Sequence, residues 1–260
     1  QSGGSQGAYV VVTNASWGID RGKPNDSPLW CAFYDSLGAA GILNVAATAN
    51  LEWDVEIEGD LPTTCSSDYI VAVTNVNRTG TRQFNSAYGA TSIDLGAFGE
   101  GVYTTTNAGF GNFGGTSGAS PHVAGTIALL YAGACSNFAT YAQVDPSGAA
   151  LSMKRYILDG VVATNDLSSN TVSGGYLNMH NSLLRCLADC PSSTCFKPYQ
   201  ITSNNITDTE GSFSWQTSTN VQSVQYRYRI VGSPWTPMIP LGVGQNMVQL
   251  IGLSACSDYE

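Results

Sequence analysis

Ser117 has the surroundings that a catalytic nucleophile needs. It follows the glycine pair Gly114 and Gly115, and apolar residues recur at helical spacing between positions 123 and 134. This pattern places Ser117 at the start of a helix, with Pro121 in the first turn. Free backbone N–H groups and the positive end of the helix dipole stabilise an oxyanion at such a position. The simpler interpretation is an ordinary serine cap on a buried helix.

The run Gly-Thr-Ser-Gly-Ala-Ser-Pro-His-Val-Ala-Gly, residues 115–125, resembles the nucleophile signature of the subtilisin-like serine proteases (subtilases, peptidase S8 family). The family pattern usually reads Gly-Thr-Ser-Met-Ala-x-Pro-His-Val-Ala-Gly, so only Gly118 departs from it. The resemblance implies a hydrolase, a secreted serine endopeptidase that cleaves polypeptides through an acyl-enzyme on Ser117.

Asn50 is the candidate side-chain donor to the oxyanion. Residues 42–47 predict a buried strand, and a side chain just after its end can enter the crevice of a parallel α/β sheet. Taken alone, such an asparagine is a turn residue. Residues 45–50, Val-Ala-Ala-Thr-Ala-Asn, are similar to the Ala-Ala-Gly-Asn segment of the family, with Ala49 in place of the usual glycine. The resemblance implies that Asn50 and the backbone N–H of Ser117 hold the oxyanion together.

Two segments are expected to bind the substrate. Residues 14–18 are similar to the Ser-x-Gly edge strand of the family, which pairs with the backbone of an extended substrate. The resemblance implies that residues 47–49 line the specificity pocket from the other side, where their small side chains favour a sizeable apolar substrate side chain. The substrate-binding candidates are Ser16, Trp17, Gly18, Ala47, Thr48 and Ala49.

The catalytic base and its carboxylate partner are missing from the expected place. In the family the order is Asp, His and then Ser, yet both histidines, His122 and His180, follow Ser117. His122 belongs to the signature and is structural in the family. No Asp-Ser/Thr-Gly or His-Gly-Thr motif precedes Ser117. We therefore expect a fragment, the C-terminal part of a catalytic domain, which is inactive alone and needs an upstream segment of the same precursor that carries Asp and His.

Two alternatives remain open. An α/β-hydrolase would use Ser117, Asp159 or Asp166, and His180, but it needs a strand immediately before the nucleophile, and residues 110–115 are expected to form a loop. The other alternative is a non-catalytic pseudoprotease that acts as a structural or adhesive extracellular protein.

The composition limits the partners and the location. Only 11% of residues are charged and the net charge is −9, so no phosphate-binding patch and no nucleic-acid partner are expected. The longest apolar run, residues 123–135, is shorter than the ~20 residues of a membrane span. Seven cysteines without a C-x-x-C pair and four Asn-x-Ser/Thr sequons favour a secreted, extracellular or cell-surface protein, with the cysteine pairing left open.

No cofactor and no metal site is assigned. Members of the family often bind structural calcium, so the resemblance implies that such an ion would be compatible with the fold. No loop of this sequence has a convincing pattern of oxygen ligands, however.

The predicted fold is a three-layer α/β/α domain with a mainly parallel sheet that lacks its N-terminal part. The strand–helix–strand order of residues 9–13, 29–38 and 42–47 is typical of a parallel crossover unit, and residues 52–60 are expected to form a loop. This domain is predicted to cover residues 1–186, followed by a Cys-, Pro- and Ser-rich linker at 187–198. Residues 199–260 alternate polar and apolar side chains and resemble a fibronectin type III β-sandwich, truncated, with Tyr259 near the tyrosine corner.

Overall fold

The computed structural model describes residues 8–189, 199–216, 224–242, 244–257 and 259. The contacts divide the chain into two units, Gln1–Cys190 and Pro191–Glu260. The boundaries predicted from the sequence, at 186 and 199, stay predictions, and most of the predicted linker lies outside the described residues.

The first unit alternates strands and helices. Its strands are β1 (Val12–Ala15), β2 (Ile19–Asp20), β3 (Leu43–Ala47), β4 (Asp60–Leu61), β5 (Ile70–Val76), β6 (Leu95–Phe98), β7 (Val102–Thr106), β8 (Gly109–Phe113), β9 (Val162–Ala163) and β10 (Gly175–Tyr176). Its helices are α1 (Pro28–Ala39), α2 (Val55–Glu58), α3 (Thr116–Gly133), α4 (Ser136–Val144), α5 (Pro146–Asp159) and α6 (Met179–Ala188). A six-stranded sheet has the order β1-β3-β5-β6-β10-β9, and only the β10–β9 pair is antiparallel. The predicted α/β fold with a mainly parallel sheet is confirmed.

Helices cover both faces of this sheet. Leu43 and Val45 point to one face and pack with Val123 of α3 and Met153 of α5. Ala46, the residue after Val45, packs on the other face with Tyr34 of α1. Because successive side chains of a strand point to opposite faces, a strand buried on both sides is mostly apolar, as β3 is with Asn44 as its one polar residue.

Three local expectations were wrong. Residues 52–60 contain α2 and the start of β4, because Asp54 caps the helix by accepting a hydrogen bond from the N–H of Glu56. Residues 110–113 belong to β8, which pairs with β7 in an antiparallel hairpin, although neither strand joins the parallel sheet. Pro121 lies inside α3 rather than in its first turn, because the helix already begins at Thr116.

The second unit is all β within its described residues. Its strands are β11 (Tyr199–Asn204), β12 (Glu210–Gln216), β13 (Val224–Tyr226), β14 (Ile239–Leu241) and β15 (Met247–Ile251). β12 pairs antiparallel with both β11 and β15, and β13 pairs antiparallel with β14. Trp215 and Leu250 are buried, and the guanidinium groups of Arg227 and Arg229 both lie over the ring of Trp235.

The cysteines are partly paired. Cys31 of α1 forms a disulfide with Cys65, which joins α1 to the segment after β4. Cys135 is also disulfide-bonded, whereas Cys186 is buried and free and Cys256 is exposed and free. Cys190 and Cys195 lie outside the described residues.

Among the helices in the described ranges, no single one is long and apolar enough to cross a membrane. Helices α3 and α4 reach that length and composition only together, and they are bent by 110° at the break between them.

Gly38 offers a test of how tightly α1 packs on the sheet. A Cβ atom at Gly38 would overlap the ring of Tyr69, whereas a Cβ atom at Gly125 of α3 would meet nothing within 4 Å. We expect Gly38→Ala to lower the free energy of unfolding by about 1–3 kcal/mol, because overpacking forces side chains off their rotamers. Gly125→Ala is the control and should raise it by up to about 1 kcal/mol through helix propensity. Chemical denaturation measures both, and equal stabilisation by the two substitutions would contradict this packing.

Candidate active site

The ends of β1 and β3 and the start of α3 surround one cavity of about 170 Å³. All eight residues that the sequence singled out for catalysis or substrate binding line it. Three further residues line it that the sequence analysis did not select. The lining consists of Ser16, Trp17, Gly18, Asp20, Ala47, Thr48, Ala49, Asn50, Leu51, Asp60 and Ser117.

Ser117 is the second residue of α3 and is half-buried. Its hydroxyl donates a hydrogen bond to the carbonyl oxygen of Ser16 (3.3 Å), and the hydroxyl of Ser16 donates to the carbonyl oxygen of Ser117 (3.1 Å). Pro121 has no N–H, so it cannot provide the hydrogen bond that the Ser117 carbonyl would normally accept within a helix. Ser16 provides that hydrogen bond instead, which joins the start of α3 to the segment after β1.

The backbone N–H of Ser117 is available to a ligand. The first residues of a helix have N–H groups without a partner inside the helix. Here the N–H of Thr116 donates to Asn50 Oδ1, and the N–H groups of Gly118 and Ala119 both donate to the carbonyl oxygen of Gly115. Among the described residues, nothing accepts a hydrogen bond from the N–H of Ser117.

Thr116 fixes the orientation of the Asn50 side chain. Its N–H lies 3.0 Å from Asn50 Oδ1, and its hydroxyl donates to the carbonyl oxygen of Thr48 (2.6 Å). Because a backbone N–H only donates, the carboxamide oxygen faces the helix, and the Asn50 NH₂ group is left as a donor for the cavity. Ser117 and Asn50 both line the cavity, and each thus retains a donor without a partner among the described residues, the Ser117 N–H and Asn50 Nδ2.

Gly115 makes this arrangement sterically feasible. Its φ of +83° lies in the left-handed region that favours glycine, and a Cβ atom there would lie 2.6 Å from Asn50 Oδ1. Glycine at this position lets Asn50 approach the start of α3.

The predicted substrate residues after β1 lie at the mouth of the cavity. Trp17 is 63% exposed and stacks on Trp30 of α1, with ring centroids 5.3 Å apart. Gly18 lies so close to Leu61 that a Cβ atom would overlap the Leu61 carbonyl oxygen. The indole of Trp17 thus lines the cavity while it packs against Trp30 of α1.

Asp60 is the buried one of the three cavity residues that sequence reasoning missed. It is only 2% exposed, and its Oδ2 accepts hydrogen bonds from the N–H of Ala49 (3.1 Å) and the hydroxyl of Thr63 (2.6 Å). Burial raises the pKa of Asp60 to about 6, against the two hydrogen bonds that lower it, and the nearby Asp20 raises it further. In the sequence Asp60 is the last of five carboxylates between positions 52 and 60, so nothing distinguishes it from the other four.

Neither histidine contributes to the cavity. Both lie among the described residues, and neither His122 nor His180 lines it. His122 Nδ1 is 2.8 Å from the carbonyl oxygen of Gly118, in the helix itself. Asp159 is exposed, and Asp166 accepts a hydrogen bond from the N–H of Arg82 (2.6 Å). The structure thus gives no support to the alternative hydrolase triad with His180.

Within the described ranges, no group of three or more His, Cys, Asp or Glu side chains could hold a metal ion.

Comparison with known proteins shows the family to which this chain belongs. Residues 5–174 match the family model Peptidase_S8, described as the subtilase family. Subtilisin-like protease 2 of Plasmodium falciparum is 31% identical over 121 residues, which is 46% of this chain and 9% of that protein. An extracellular protease of Xanthomonas campestris pv. campestris is 35% identical over 82 residues, which is 28% of this chain and 14% of that protein. The chain thus spans about a tenth of the length of these curated relatives.

Solved structures share the fold. The prenylagaramide maturation protease PagA superposes with a TM-score of 0.56 at 19% identity, covering 68% of this chain and 62% of that one. A protease of Pseudoalteromonas arctica superposes with a TM-score of 0.54 at 23% identity, covering 71% of this chain and 56% of that one.

Gly115→Ala tests the close approach of Asn50 to α3. Gly101 is a matched control, because it also has a positive φ (+61°) but a Cβ atom there would meet nothing within 4 Å. Backbone strain alone should lower the free energy of unfolding by about 1 kcal/mol in both variants. We expect Gly115→Ala to lose at least about 1 kcal/mol more, because the added methyl group displaces Asn50. Equal losses in urea denaturation would contradict the close approach.

Asp60→Asn tests the buried carboxyl. Its pKa is raised from 3.8 to about 6, so the folded chain binds this proton more tightly than the unfolded chain. The stability that this group contributes is fully present below about pH 4 and is lost as the pH rises through about 6, a change of about 2–3 kcal/mol. The free energy of unfolding of Asp60→Asn relative to the parent should therefore rise by that amount between pH 4 and 7. The exposed Asp35→Asn is the control, and a difference independent of pH for Asp60→Asn would contradict the assignment.

Proposed function

We propose that this chain, which belongs to the subtilase family, supplies the nucleophile and both oxyanion donors of a serine endopeptidase that cleaves polypeptides. The proposal rests mainly on one observation, that Ser117 at the start of α3 and Asn50 after β3 line a single cavity. The proposed chemistry uses no metal and no cofactor.

In the proposed reaction Ser117 Oγ attacks the carbonyl carbon of the scissile peptide bond, and its proton passes to a histidine. The carbonyl oxygen becomes an oxyanion, which accepts hydrogen bonds from the N–H of Ser117 and from Asn50 Nδ2. The C–N bond then breaks, the leaving amine takes the proton from the histidine, and an ester on Ser117 remains. Water hydrolyses this ester by the same steps in reverse order.

The histidine and its aspartate would come from an upstream segment of the same precursor. In this structure the Ser117 hydroxyl donates to the carbonyl oxygen of Ser16, which is too weakly basic to take the proton. β1 lies at the edge of the sheet, and an edge strand presents N–H and C=O groups that can pair with a further strand. We place the upstream segment beside β1, next to Ser16 and Ser117.

We also propose that the protein is secreted, and that residues 199–260 form part of a fibronectin type III-like module. The disulfide between Cys31 and Cys65 and the four sequons support an oxidising compartment. In the second unit the N–H of Ser254 donates to the hydroxyl of Tyr259 (2.8 Å), which supports an interpretation of Tyr259 as a tyrosine corner.

Two substitutions test the proposed roles in the polypeptide that includes the upstream segment. Ser117→Ala should abolish hydrolysis of a peptide substrate with folding retained. Asn50→Ala should lower kcat by about 10²–10³, the loss known for one oxyanion donor in subtilisin, while KM changes little. Ser36→Ala, an exposed serine of α1, is the control.

Peptide hydrolysis that survives Ser117→Ala would refute the proposed nucleophile. A folded parent that hydrolyses no peptide would instead support the non-catalytic, structural or adhesive alternative.

A further inference from the structure

We propose that the cavity beside Ser117 receives the cationic side chain of a substrate lysine, with the Asp60 carboxylate as its anionic partner. This inference rests on the proposed function, because it concerns the substrate residue whose carbonyl carbon Ser117 attacks. It replaces the expectation of an apolar side chain, which was based on the small residues at 47–49 alone.

The charged residues that line the cavity are all acidic. Its eleven lining residues include two carboxylates, Asp20 and Asp60, and neither lysine nor arginine. The cations nearby in sequence are engaged elsewhere, since Arg21 pairs with Glu58 (3.0 Å) and Lys23 Nζ donates to the carbonyl oxygen of Ile57 (2.7 Å). No ion pair joins Asp60 to any residue in the described ranges. A buried carboxylate without a cation is costly, so a ligand that brings a positive charge is favoured.

The Asp60 carboxylate has hydrogen-bonding capacity to spare. Both hydrogen bonds that described residues donate to it go to Oδ2, and none goes to Oδ1. Buried polar groups are nearly always hydrogen-bonded in folded proteins, so Oδ1 of a carboxylate that is almost fully buried favours a donor brought by a ligand.

A lysine ammonium fits this carboxylate better than an arginine guanidinium does. The guanidinium fork is best matched by both oxygens of one carboxylate, but Oδ2 of Asp60 already accepts two hydrogen bonds. An ammonium group is compact and can be bound through the single free oxygen, Oδ1.

The walls suit the apolar stem of lysine. Ala47, Ala49 and Gly18 leave room along the cavity, and the indole of Trp17 lies at its mouth. Lysine side chains bury their methylene groups along such surfaces while the charged end finds a polar partner.

Asp60 has a structural role as well, because its hydrogen bond to the N–H of Ala49 holds one cavity wall. A purely structural Asp60 would affect all substrates equally. An Asp60 that binds lysine would instead change the ratio of kcat/KM between a lysine substrate and a neutral substrate of the same length.

The experiment compares kcat/KM for two peptides that differ only at the residue before the scissile bond, lysine or norleucine, using the polypeptide that includes the upstream segment. We expect the parent to prefer lysine by roughly tenfold or more, the size expected of a hydrogen bond to a charged group. Asp60→Asn, which keeps an acceptor for Ala49 and Thr63, should bring the ratio close to one mainly by lowering the lysine value. Asp35→Asn on the exposed face of α1 should leave the ratio unchanged.

A second variant covers the case in which Asp60→Asn does not fold. Asp20 is exposed and lines the same cavity, so Asp20→Asn should lower the ratio in the same direction but by a smaller factor. Hydrolysis by the parent without a preference for lysine would overturn the inference and leave the proposed function intact.

A binding measurement tests the preference for lysine without requiring catalysis. Fluorescence anisotropy would follow labelled peptides that end in lysine or norleucine as they bind the chain with Ser117→Ala. Tighter binding of the lysine peptide that disappears in Ser117→Ala with Asp60→Asn would support the inference even if the parent hydrolysed nothing. Equal binding of both peptides would overturn it.

Discussion

The hydrogen bond from the backbone N–H of Thr116 to Asn50 Oδ1 joins the start of α3 to the loop after β3, and the geometry of the site depends on it. The same residue bonds the carbonyl oxygen of Thr48 through its hydroxyl, so one buried side chain sets the distance between strand and helix. Gly115 lets the two segments approach, because any larger residue would meet the Asn50 carboxamide. With Asn50 held by its oxygen, its NH₂ group is left as a donor, which is the preorganisation that the proposed oxyanion stabilisation requires.

The cavity combines this donor pair with a buried negative charge. Burial disfavours the ionised form of Asp60, so at neutral pH the carboxylate lowers the stability of the folded chain. An asparagine could accept the hydrogen bonds from Ala49 and Thr63 without that cost. A carboxylate at such a position is consistent with the proposed cationic ligand, since perturbed pKa values concentrate at functional sites.

Much of this site could be predicted from the sequence because its residues lie in short motifs that resemble those of the subtilases. Ser117 is the second residue of α3 and Asn50 lies in the loop after β3, and the carboxyl ends of parallel strands meet at one edge of a sheet, so the eight selected residues line one cavity. The parallel α/β fold was predictable from the strand–helix–strand order of residues 9–13, 29–38 and 42–47, although β1 begins only at Val12.

The other features of the structure depend on contacts between distant residues, which no local sequence pattern predicts. Asp60 reaches the cavity from a two-residue strand, β4, that pairs with β2 only in the folded chain. β8 contains three polar or glycine positions in five, so its pairing with β7 was not apparent from periodicity. The sequence predicted Pro121 in a first turn because its missing N–H disfavours helix interiors, yet the hydroxyl of Ser16, from another segment, donates the hydrogen bond that the Ser117 carbonyl oxygen would otherwise lack.

The central claim is that Ser117 is a base-activated nucleophile once the upstream segment is present. Labelling with a fluorophosphonate probe, applied to the polypeptide from its native source and followed by peptide mass spectrometry, tests it most directly, because such probes react with activated serines and not with merely exposed ones. We expect a covalent adduct on Ser117. A folded polypeptide in which Ser117 stays unmodified would contradict it.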